Sequence, residues 1–334
     1  MNNLRPLLLP FSFFYNLYMS LRNKLYDLGY IRSQKVSVPV ISIGNLTAGG
    51  TGKTPFTIFI ASYFLKNNYN VGIISRGYGR SSDEMVTVYN GSNLVTDPAL
   101  SGDELIEISL RLKEVYPNFV TVASTDRIKA AEYIIKNFKP DVIILDDAFQ
   151  HRKIKRDLDI VMLDSSYSND CENRLLPAGN LRESKSSLKR ADVVINNYKF
   201  SIITPSASIK KNEFNIKYKT DASELIQKLN DKGVIAICGI AKPDSFFNLM
   251  TDLNIGIKKR YTFDDHYNYT EKDAKEIKDS LQIKDIILTT GKDYVKLNMF
   301  RDIFKDTEII ALNISAEIQG KENDLYKLLD KTIK

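Results

Sequence analysis

Cysteine and histidine are both scarce in this chain of 334 residues. The two cysteines, Cys171 and Cys238, are too few for a disulfide framework, so a reducing compartment that faces the cytosol is expected. The two histidines, His151 and His266, limit any imidazole chemistry to two positions. No secretory signal is evident, because the N-terminal apolar stretch contains prolines and has no small-residue cleavage site.

The chain also lacks an uninterrupted apolar run that comfortably crosses a bilayer. Residues 4–21 are barely long enough, and Pro6 and Pro10 interrupt them. Residues 1–35 nevertheless combine many aromatic and aliphatic side chains with five basic residues against one acidic residue, a net charge of +4. This composition is typical of a helix that lies on an anionic membrane surface, which we predict here. A helix that crosses the bilayer and a helix that packs on its own domain are the alternatives.

No further basic patch interleaved with aromatic residues is evident, so a nucleic-acid partner is not expected. The apolar content of 43% and the charged content of 26% are ordinary for a soluble protein. A chain of this length can bury the cores of two domains.

Apolar runs of strand length alternate with helical patterns through the first 200 residues. This alternation predicts an α/β fold in which a parallel sheet carries helices on both faces. The predicted organisation is a membrane-associating segment over 1–35, a P-loop domain over 36–199, an extended β linker over 200–222 and a smaller C-terminal α/β domain over 223–334. The strands predicted in the first domain are Val38–Ile43, Val71–Ser75, Phe119–Ala123, Val142–Asp146, Ile160–Leu163 and Val193–Ile195.

A glycine-rich turn joins the first predicted strand to the first predicted helix, in the sequence VPVISIGNLTAGGTGKTP. Glycines let backbone N–H groups turn inward around a polyphosphate, and the helix N-terminus adds partial positive charge. Lys53 would reach the outer phosphates as a catalytic residue, and Thr54 would hold Mg²⁺. The strict P-loop pattern requires a glycine at Thr47, so a plain glycine-rich turn is the alternative. The predicted ATP-binding residues are Thr47, Ala48, Gly49, Gly50, Thr51, Gly52, Lys53 and Thr54.

Two carboxylates, Asp146 and Asp147, end an apolar strand further along the chain. A carboxylate at a strand end that faces a phosphate loop is a usual ligand of Mg²⁺. Two solvated turn residues are the alternative. Glu183, in the loop sequence LLPAGNLRE, is a further candidate, so the predicted metal site comprises Thr54, Asp146, Asp147 and Glu183.

Other polar residues open helices or follow strands. Arg76 and Tyr78 lie in the turn SRGYGR, where arginine can grip a phosphate or can simply be exposed. Asp103 begins a helix, either as a capping residue or as a general base on an acceptor hydroxyl. Arg127 opens the next helix and either adds positive charge near a ligand or lies on the surface. His266, in FDDH, can share a proton with a neighbouring carboxylate or can be structural.

Taken together, these motifs resemble those of the tetraacyldisaccharide 4'-kinase family, the lipid A 4'-kinases. The resemblance rests on GNLTAGGTGKTP, SRGYGR, GDE, DDAFQHRKIKRDLDIV, LLPAGNLRE, FDDH and TTGKD, which occur in order from Gly44 to Asp293. It implies transfer of the γ-phosphate of ATP, with Mg²⁺, to the 4'-hydroxyl of an acylated glucosamine disaccharide 1-phosphate. The implied location is the cytoplasmic face of the inner membrane, during lipid A synthesis. The implied fold has two α/β domains and a two-stranded linker.

At matching positions, the resemblance implies that Asp103 acts with His266 to activate the acceptor hydroxyl. It also implies Mg²⁺ binding or orientation by Asp146, Asp147 and Glu183. The implied substrate-binding residues are Arg76, Tyr78, Arg127, Gln150 and His151.

Two positions depart from the motifs of the family. Ala148 replaces a usual glycine and is expected to resist a positive φ, and Gly291 replaces a usual glutamate, so a role for that glutamate is in doubt. Two other classes of function also fit a P-loop. One is a membrane-recruited nucleotide switch, and the other is a kinase or ligase that acts on a soluble metabolite.

Overall fold

A nine-stranded, mostly parallel sheet forms the centre of the larger of two bodies. Its strands are β1 (Val40–Asn45), β2 (Val71–Ser75), β3 (Val86–Tyr89), β4 (Phe119–Ala123), β5 (Val142–Asp146), β6 (Leu158–Asp164), β7 (Val193–Asn197), β8 (Glu213–Lys219) and β13 (Ser315–Ile318). Their order is β13-β8-β7-β6-β1-β5-β2-β4-β3. Only the edge strands β3 and β13 pair antiparallel with their neighbours.

This computed structural model describes the chain in five stretches. They are residues 7–164, 174–197, 212–220, 223–229 and 231–334. Cys171 and much of the linker predicted over 200–222 therefore lie outside the described residues. Cys238 is a buried free thiol.

The central strands β1, β2, β4 and β5 are buried along their whole length. Continuous apolar runs are typical of parallel strands that helices cover on both faces. The predicted α/β fold with a parallel sheet is confirmed. The first strand begins two residues later than predicted and continues to Asn45, which brings its end close to the glycine-rich turn.

Helices cover both faces of this sheet. The helices of the chain are α1 (Leu9–Asp27), α2 (Lys53–Lys66), α3 (Pro98–Ser101), α4 (Asp103–Lys113), α5 (Arg127–Phe138), α6 (Ser223–Leu229), α7 (Pro243–Asp252), α8 (Glu271–Asp279), α9 (Gly291–Leu297) and α10 (Glu322–Ile333). Phe64 of α2 and Leu105 of α4 belong to the core on one face, and Ile134 of α5 belongs to the core on the other.

The smaller body is built on a four-stranded parallel sheet of its own. Its strands are β9 (Val234–Cys238), β10 (Ile257–Thr262), β11 (Ile286–Thr289) and β12 (Ile309–Ala311), in the order β10-β9-β11-β12. Phe247 and Met250 of α7 pack in the core on one face. Ile277 of α8 and Leu297 of α9 pack in the core on the other.

Two strands connect the bodies, and both belong to the large sheet. Strand β8, inside the predicted linker, runs parallel to β7, and β13 returns antiparallel to β8 with Ser315 opposite Lys219. The chain then ends in α10, whose Leu325 and Leu329 are fully buried in the core that also contains α2. The region 223–334 was predicted as one C-terminal domain. Its separate sheet ends with β12, and its last residues, in β13 and α10, pack on the first body.

The N-terminal helix α1 packs on the first body along one side only. Ser12 and Met19 are buried, Arg22 donates a hydrogen bond to the carbonyl oxygen of Gln150 at 2.9 Å, and Asp27 pairs with Arg152 at 2.7 Å. The opposite side exposes a broad apolar surface. Among the described residues, no helix combines the length and apolar character that crossing a membrane requires.

Leu329→Ala tests whether α10 is an integral part of the large body. Removal of this fully buried side chain should lower the free energy of unfolding by about 2–5 kcal/mol, because a cavity remains beneath α2. Urea denaturation followed by circular dichroism measures the change. Lys331→Ala, at an exposed position of the same helix, should change it by less than about 0.5 kcal/mol. Equal stabilities of the two variants would contradict the packing described here.

Candidate active site

The glycine-rich turn is held between β1 and the N-terminus of α2. Gly49 and Gly52 have φ values of 108° and 81°, which side chains rarely adopt. Three side chains hold the turn in place. Asn45 donates a hydrogen bond to the Thr51 hydroxyl, Asn197 donates to the Thr51 carbonyl oxygen, and Tyr218 of β8 donates to the Gly52 carbonyl oxygen at 2.7 Å. Side chains of β1, β7 and β8 therefore hold the turn in position.

Lys53 begins α2 and faces the second carboxylate of the acidic pair. Its Nζ lies 3.5 Å from Asp147 Oδ1, and Arg182 donates to both oxygens of Asp147 at 2.9 and 3.0 Å. Burial opposes ionisation of Asp147, but these two cations outweigh it and lower its pKa to about 2. One carboxylate thus orients two cations beside the turn.

Asp146, the first carboxylate of the pair, is fully buried at the end of β5. The Thr57 hydroxyl donates to its Oδ1 at 2.8 Å, and its Oδ2 has no hydrogen-bond partner in the described part of the chain. Burial raises the pKa of Asp146 to about 7, and the negative charges of Glu104 and Asp147 add to this rise. Ala148, which was expected to resist a positive φ, is not among the residues with one. The neighbouring Asp147 has a φ of 49°, and Ala148 packs in the core.

The oxygen atoms at this strand end fit Mg²⁺. Carboxylates and a hydroxyl are hard donors, and Asp146 Oδ2, which has no hydrogen-bond partner among the described residues, is free to bind a divalent cation. Thr54 opens onto the same cavity as Asp147. No group of three or more histidine, cysteine, aspartate or glutamate side chains within the described stretches is arranged to hold a metal ion. Mg²⁺ would therefore rely on Thr54, the aspartates and a bound polyphosphate.

Glu183 has other partners. Its Oε2 accepts hydrogen bonds from Arg190 at 2.9 Å and from Asn23 of α1 at 3.0 Å, and its side chain is 1% exposed. It is not among the residues that line the cavity at the glycine-rich turn. These contacts hold one oxygen of Glu183 under α1, whereas its buried Oε1 has no hydrogen-bond partner among the described residues. The metal role of Glu183 stays a prediction.

Asp103 and His266 meet across the boundary between the two bodies. His266 Nδ1 lies 3.1 Å from Asp103 Oδ2, and Lys296 Nζ lies 3.3 Å from the same oxygen. Burial opposes ionisation of Asp103, but the hydrogen bond from His266 and the charges of Lys292 and Lys296 outweigh it and hold its pKa well below the usual range. Asp103 is therefore ionised. On the histidine side of the pair, the centroid of the Tyr78 ring lies 4.8 Å from that of the His266 ring.

The other predicted substrate residues divide into exposed and buried positions. Arg76 is exposed after β2, whereas Arg127 is buried and donates to the Ser124 carbonyl oxygen at 2.8 Å. Burial lowers the pKa of Arg127 to about 10. Gln150 donates to the Asn45 carbonyl oxygen, and burial lowers the pKa of His151 to about 4, so that imidazole is neutral. Of the predicted substrate residues, only Tyr78 lines the cavity described next.

A cavity of 490 Å³ lies between the two bodies and joins these groups. Residues 48–55 line one end together with Asp147 and Arg182, and His266 lies on its wall. The second body contributes Lys242, Ser245 and a group of apolar side chains. These apolar side chains, which we call the apolar end of the cavity, are Ile240, Phe246, Leu249, Leu312 and Ile314.

A family model described as tetraacyldisaccharide-1-P 4'-kinase matches residues 4–334. The chain belongs to this family. The match spans both bodies and the N-terminal helix, beyond the motifs that run from Gly44 to Asp293.

Relatives in the tetraacyldisaccharide 4'-kinase family share the whole length of the chain. One from Aquifex aeolicus is 36% identical over 332 residues, which cover 98% of each chain. One from Chlorobaculum parvum is 32% identical and covers 97% of this chain and 93% of its own. A crystal structure of LpxK from Aquifex aeolicus in complex with ATP is 34% identical, has a TM-score of 0.81 and covers 99% of this chain and 100% of that chain.

This member of the tetraacyldisaccharide 4'-kinase family has further site residues that the motifs did not identify. Lys292 Nζ forms an ion pair with Glu104 Oε1 at 2.6 Å, and Lys296 reaches Asp103 from the same helix. Lys292 is the lysine of the TTGKD sequence, so its position was visible in the motif although its partner Glu104 was not. Arg182 and Tyr218 were also missed, because only the fold brings them to the glycine-rich turn.

Glu183→Ala distinguishes a structural role from a metal role. Because the variant removes the buried partner of the largely buried Arg190, a structural role predicts that the free energy of unfolding falls by about 3 kcal/mol, by the same amount with and without Mg²⁺. Urea denaturation in both conditions measures it. Glu276→Ala, at an exposed glutamate, is the matched control. A loss that appears only when Mg²⁺ is present would support the metal assignment.

Proposed function

We propose that this chain transfers the γ-phosphate of ATP to the 4'-hydroxyl of a tetraacyl glucosamine disaccharide 1-phosphate, a step of lipid A synthesis. The observation that carries the proposal is the Asp103–His266 pair on the cavity that also contains Lys53. A proton acceptor for an alcohol and a phosphate-binding turn are the two parts that such a transfer requires. Membership of the tetraacyldisaccharide 4'-kinase family supports the same reaction.

We place ATP in the cavity with its phosphates on the glycine-rich turn and its base toward the second body. Its phosphates would lie on the backbone N–H groups of the turn over 48–54, with Lys53 and Arg182 beside the outer phosphates. Its base would lie against the apolar end formed by the second body. The Aquifex aeolicus relative of similar fold was crystallised with ATP, which supports this nucleotide.

Mg²⁺ would be held by Thr54, Asp146 and Asp147, where it would neutralise phosphate charge. Side chains of the protein supply the remaining positive charge. Asp147 orients Lys53 and Arg182 toward the outer phosphates, and these cations stabilise the charge that develops during transfer.

The acceptor hydroxyl would lie next to His266. The ionised Asp103 holds Nδ1 of the ring, so Nε2 is the nitrogen available to a substrate. The proton of the 4'-hydroxyl passes to the pair as the oxygen bonds to the γ-phosphorus, and the bond to the β-phosphate oxygen breaks to release ADP. Lys296 stabilises Asp103 as an anion and keeps it in this position.

Two variants test the assignment of the proton acceptor and the phosphate-binding lysine. Asp103→Asn should lower lipid phosphorylation by about 10²–10⁴-fold, because the ring loses its anionic partner. Lys53→Ala should lower it at least as much. The assay follows label from γ-labelled ATP, with circular dichroism to confirm folding and Asp279→Asn as an exposed-carboxylate control. Near-native turnover by Asp103→Asn would remove that residue from the mechanism.

The same assay separates the alternative functions. The proposed reaction moves label into an organic-extractable lipid. A nucleotide switch would release it as free phosphate, and a soluble-substrate kinase would place it on a water-soluble metabolite.

A lipid acceptor requires that the protein reach the membrane, and α1 has the surface for this. Phe11, Phe13 and Phe14 are 64–66% exposed, and Leu17 and Tyr18 continue the same surface. Basic residues in the first 35 positions would attract anionic lipids. We therefore infer peripheral or shallow association of α1 with the cytoplasmic face of the inner membrane.

Charge on this surface tests the membrane association. The triple variant Phe14→Glu, Leu17→Glu and Leu21→Glu should reduce binding to vesicles of anionic phospholipid at least about 10-fold, because each change removes a buried apolar contact with lipid. Co-sedimentation at low and high salt measures it. Ile283→Glu, which changes a 96% exposed apolar residue of the other body, should bind like the wild type. Undiminished binding by the triple variant would exclude α1 as the membrane contact.

A further inference from the structure

Glu107 is an acidic residue of the cavity for which the proposed mechanism has no use. It lies one turn after Asp103 and Glu104 on α4, and it is 9% exposed. Its side chain is on the wall of the 490 Å³ cavity. Asp103 and Glu104 are both paired with cations of the second body. Glu107 is thus the third carboxylate of an acidic helix face.

Unlike its two neighbours, Glu107 has no hydrogen bond or ion pair within the described part of the chain. Arg111, one turn further along α4, directs its Nη2 to Ser315 at 3.4 Å instead. Burial raises the pKa of Glu107 to about 7, although Arg111 and Lys292 oppose that rise. A carboxylate that lines a cavity and has no protein partner is open to a hydrogen-bond donor of a ligand.

The absence of a side chain at Gly291 leaves room for the Glu107 carboxylate. A Cβ atom at Gly291 would lie 2.7 Å from Glu107 Cδ and closer still to Oε1, so any larger residue would displace the carboxylate. Gly291 is also the position where this chain departs from the TTEKD motif that the resemblance led us to expect. The glycine and the glutamate are therefore matched to each other.

The position of this pair in the cavity identifies the chemistry that it serves. Gly291 follows the carboxyl end of β11, and Leu312 of the apolar end follows the neighbouring strand β12. On the other side, Glu104 and Lys292 lead toward the Asp103–His266 pair. Glu107 lines the same cavity as these apolar and charged side chains. With the phosphates of ATP on the glycine-rich turn and its base against the apolar side chains, the sugar would lie between them, and we place it at Glu107. A carboxylate repels phosphate but accepts hydrogen bonds from vicinal hydroxyls.

We propose that Glu107, in the space left by Gly291, binds the ribose hydroxyls of ATP and makes this enzyme discriminate against deoxyribonucleotides. The proposal rests on the proposed function, because it requires ATP in this cavity. It assigns Glu107 to substrate recognition and not to phosphoryl transfer.

A double-mutant type of cycle tests the contact, in which either the nucleotide loses a hydroxyl or the protein loses the Glu107 carboxylate. Dissociation constants of the Mg²⁺ complexes of ATP, 2'-deoxy-ATP and 3'-deoxy-ATP are measured by calorimetry for the wild type and for Glu107→Ala. The wild type should bind ATP about 10-fold more tightly than at least one deoxy analogue, as expected for the loss of one hydrogen bond. Glu107→Ala should weaken ATP binding by the same factor and should leave binding of that analogue nearly unchanged.

Two further variants show whether the effect of Glu107→Ala is specific to the position of the carboxylate. Gly291→Ala retains Glu107 but should displace its carboxylate, so it should also lose the preference for ATP. Glu114→Ala, at an exposed position of the chain just after α4, should keep the preference.

The failure of this inference is distinguishable from the failure of the proposed function. Equal binding of all three nucleotides by the wild type, or equal weakening of all three in Glu107→Ala, overturns the ribose contact while lipid phosphorylation remains. A wild type that binds none of the three nucleotides overturns both.

Discussion

The docking of α4 against α9 is the constraint on which the rest of the site depends. Asp103 and Glu104 of the first body meet His266, Lys292 and Lys296 of the second, at distances of 2.6–3.3 Å. Such buried pairs add little net stability, because desolvation offsets their attraction. Leaving any one of these charges unpaired would be costly, however. The pairs therefore select one relative position of the two bodies, and that position creates both the cavity and the Asp103–His266 contact.

The connection between the bodies reinforces this arrangement. Strands β8 and β13 belong to the large sheet, and α10 is packed in its core, so both ends of the smaller body are attached to the larger one. Tyr218 of β8 also holds the Gly52 carbonyl oxygen. The segment that joins the bodies thus contacts the phosphate-binding turn directly, and the geometry of the turn is coupled to the placement of the second body.

Much of the fold was predictable because its signals are local. The strand at Val71–Ser75 and the helix that starts at Arg127 follow from apolar periodicity and from the capping residue Asp126. The edge strand β3 and the linker strand β8 were harder, because short, half-buried strands have weak patterns. Glu183 shows the limit for site residues. Its motif predicts a metal ligand, which stays a prediction, and its contacts with Arg190 and Asn23 could not be predicted because they depend on the packing of α1.

Adjacent residues encode the order of strand, glycine-rich turn and helix, and the two carboxylates at the end of β5, so these features could be predicted without coordinates. The meeting of distant residues depends on how the whole chain packs. His266 and Asp103 are 163 positions apart, and Glu107 reaches Gly291 across the boundary between the bodies. The physical reason is that periodicity and turn chemistry act over a few residues, whereas contacts between bodies depend on how complete buried surfaces and charges fit together.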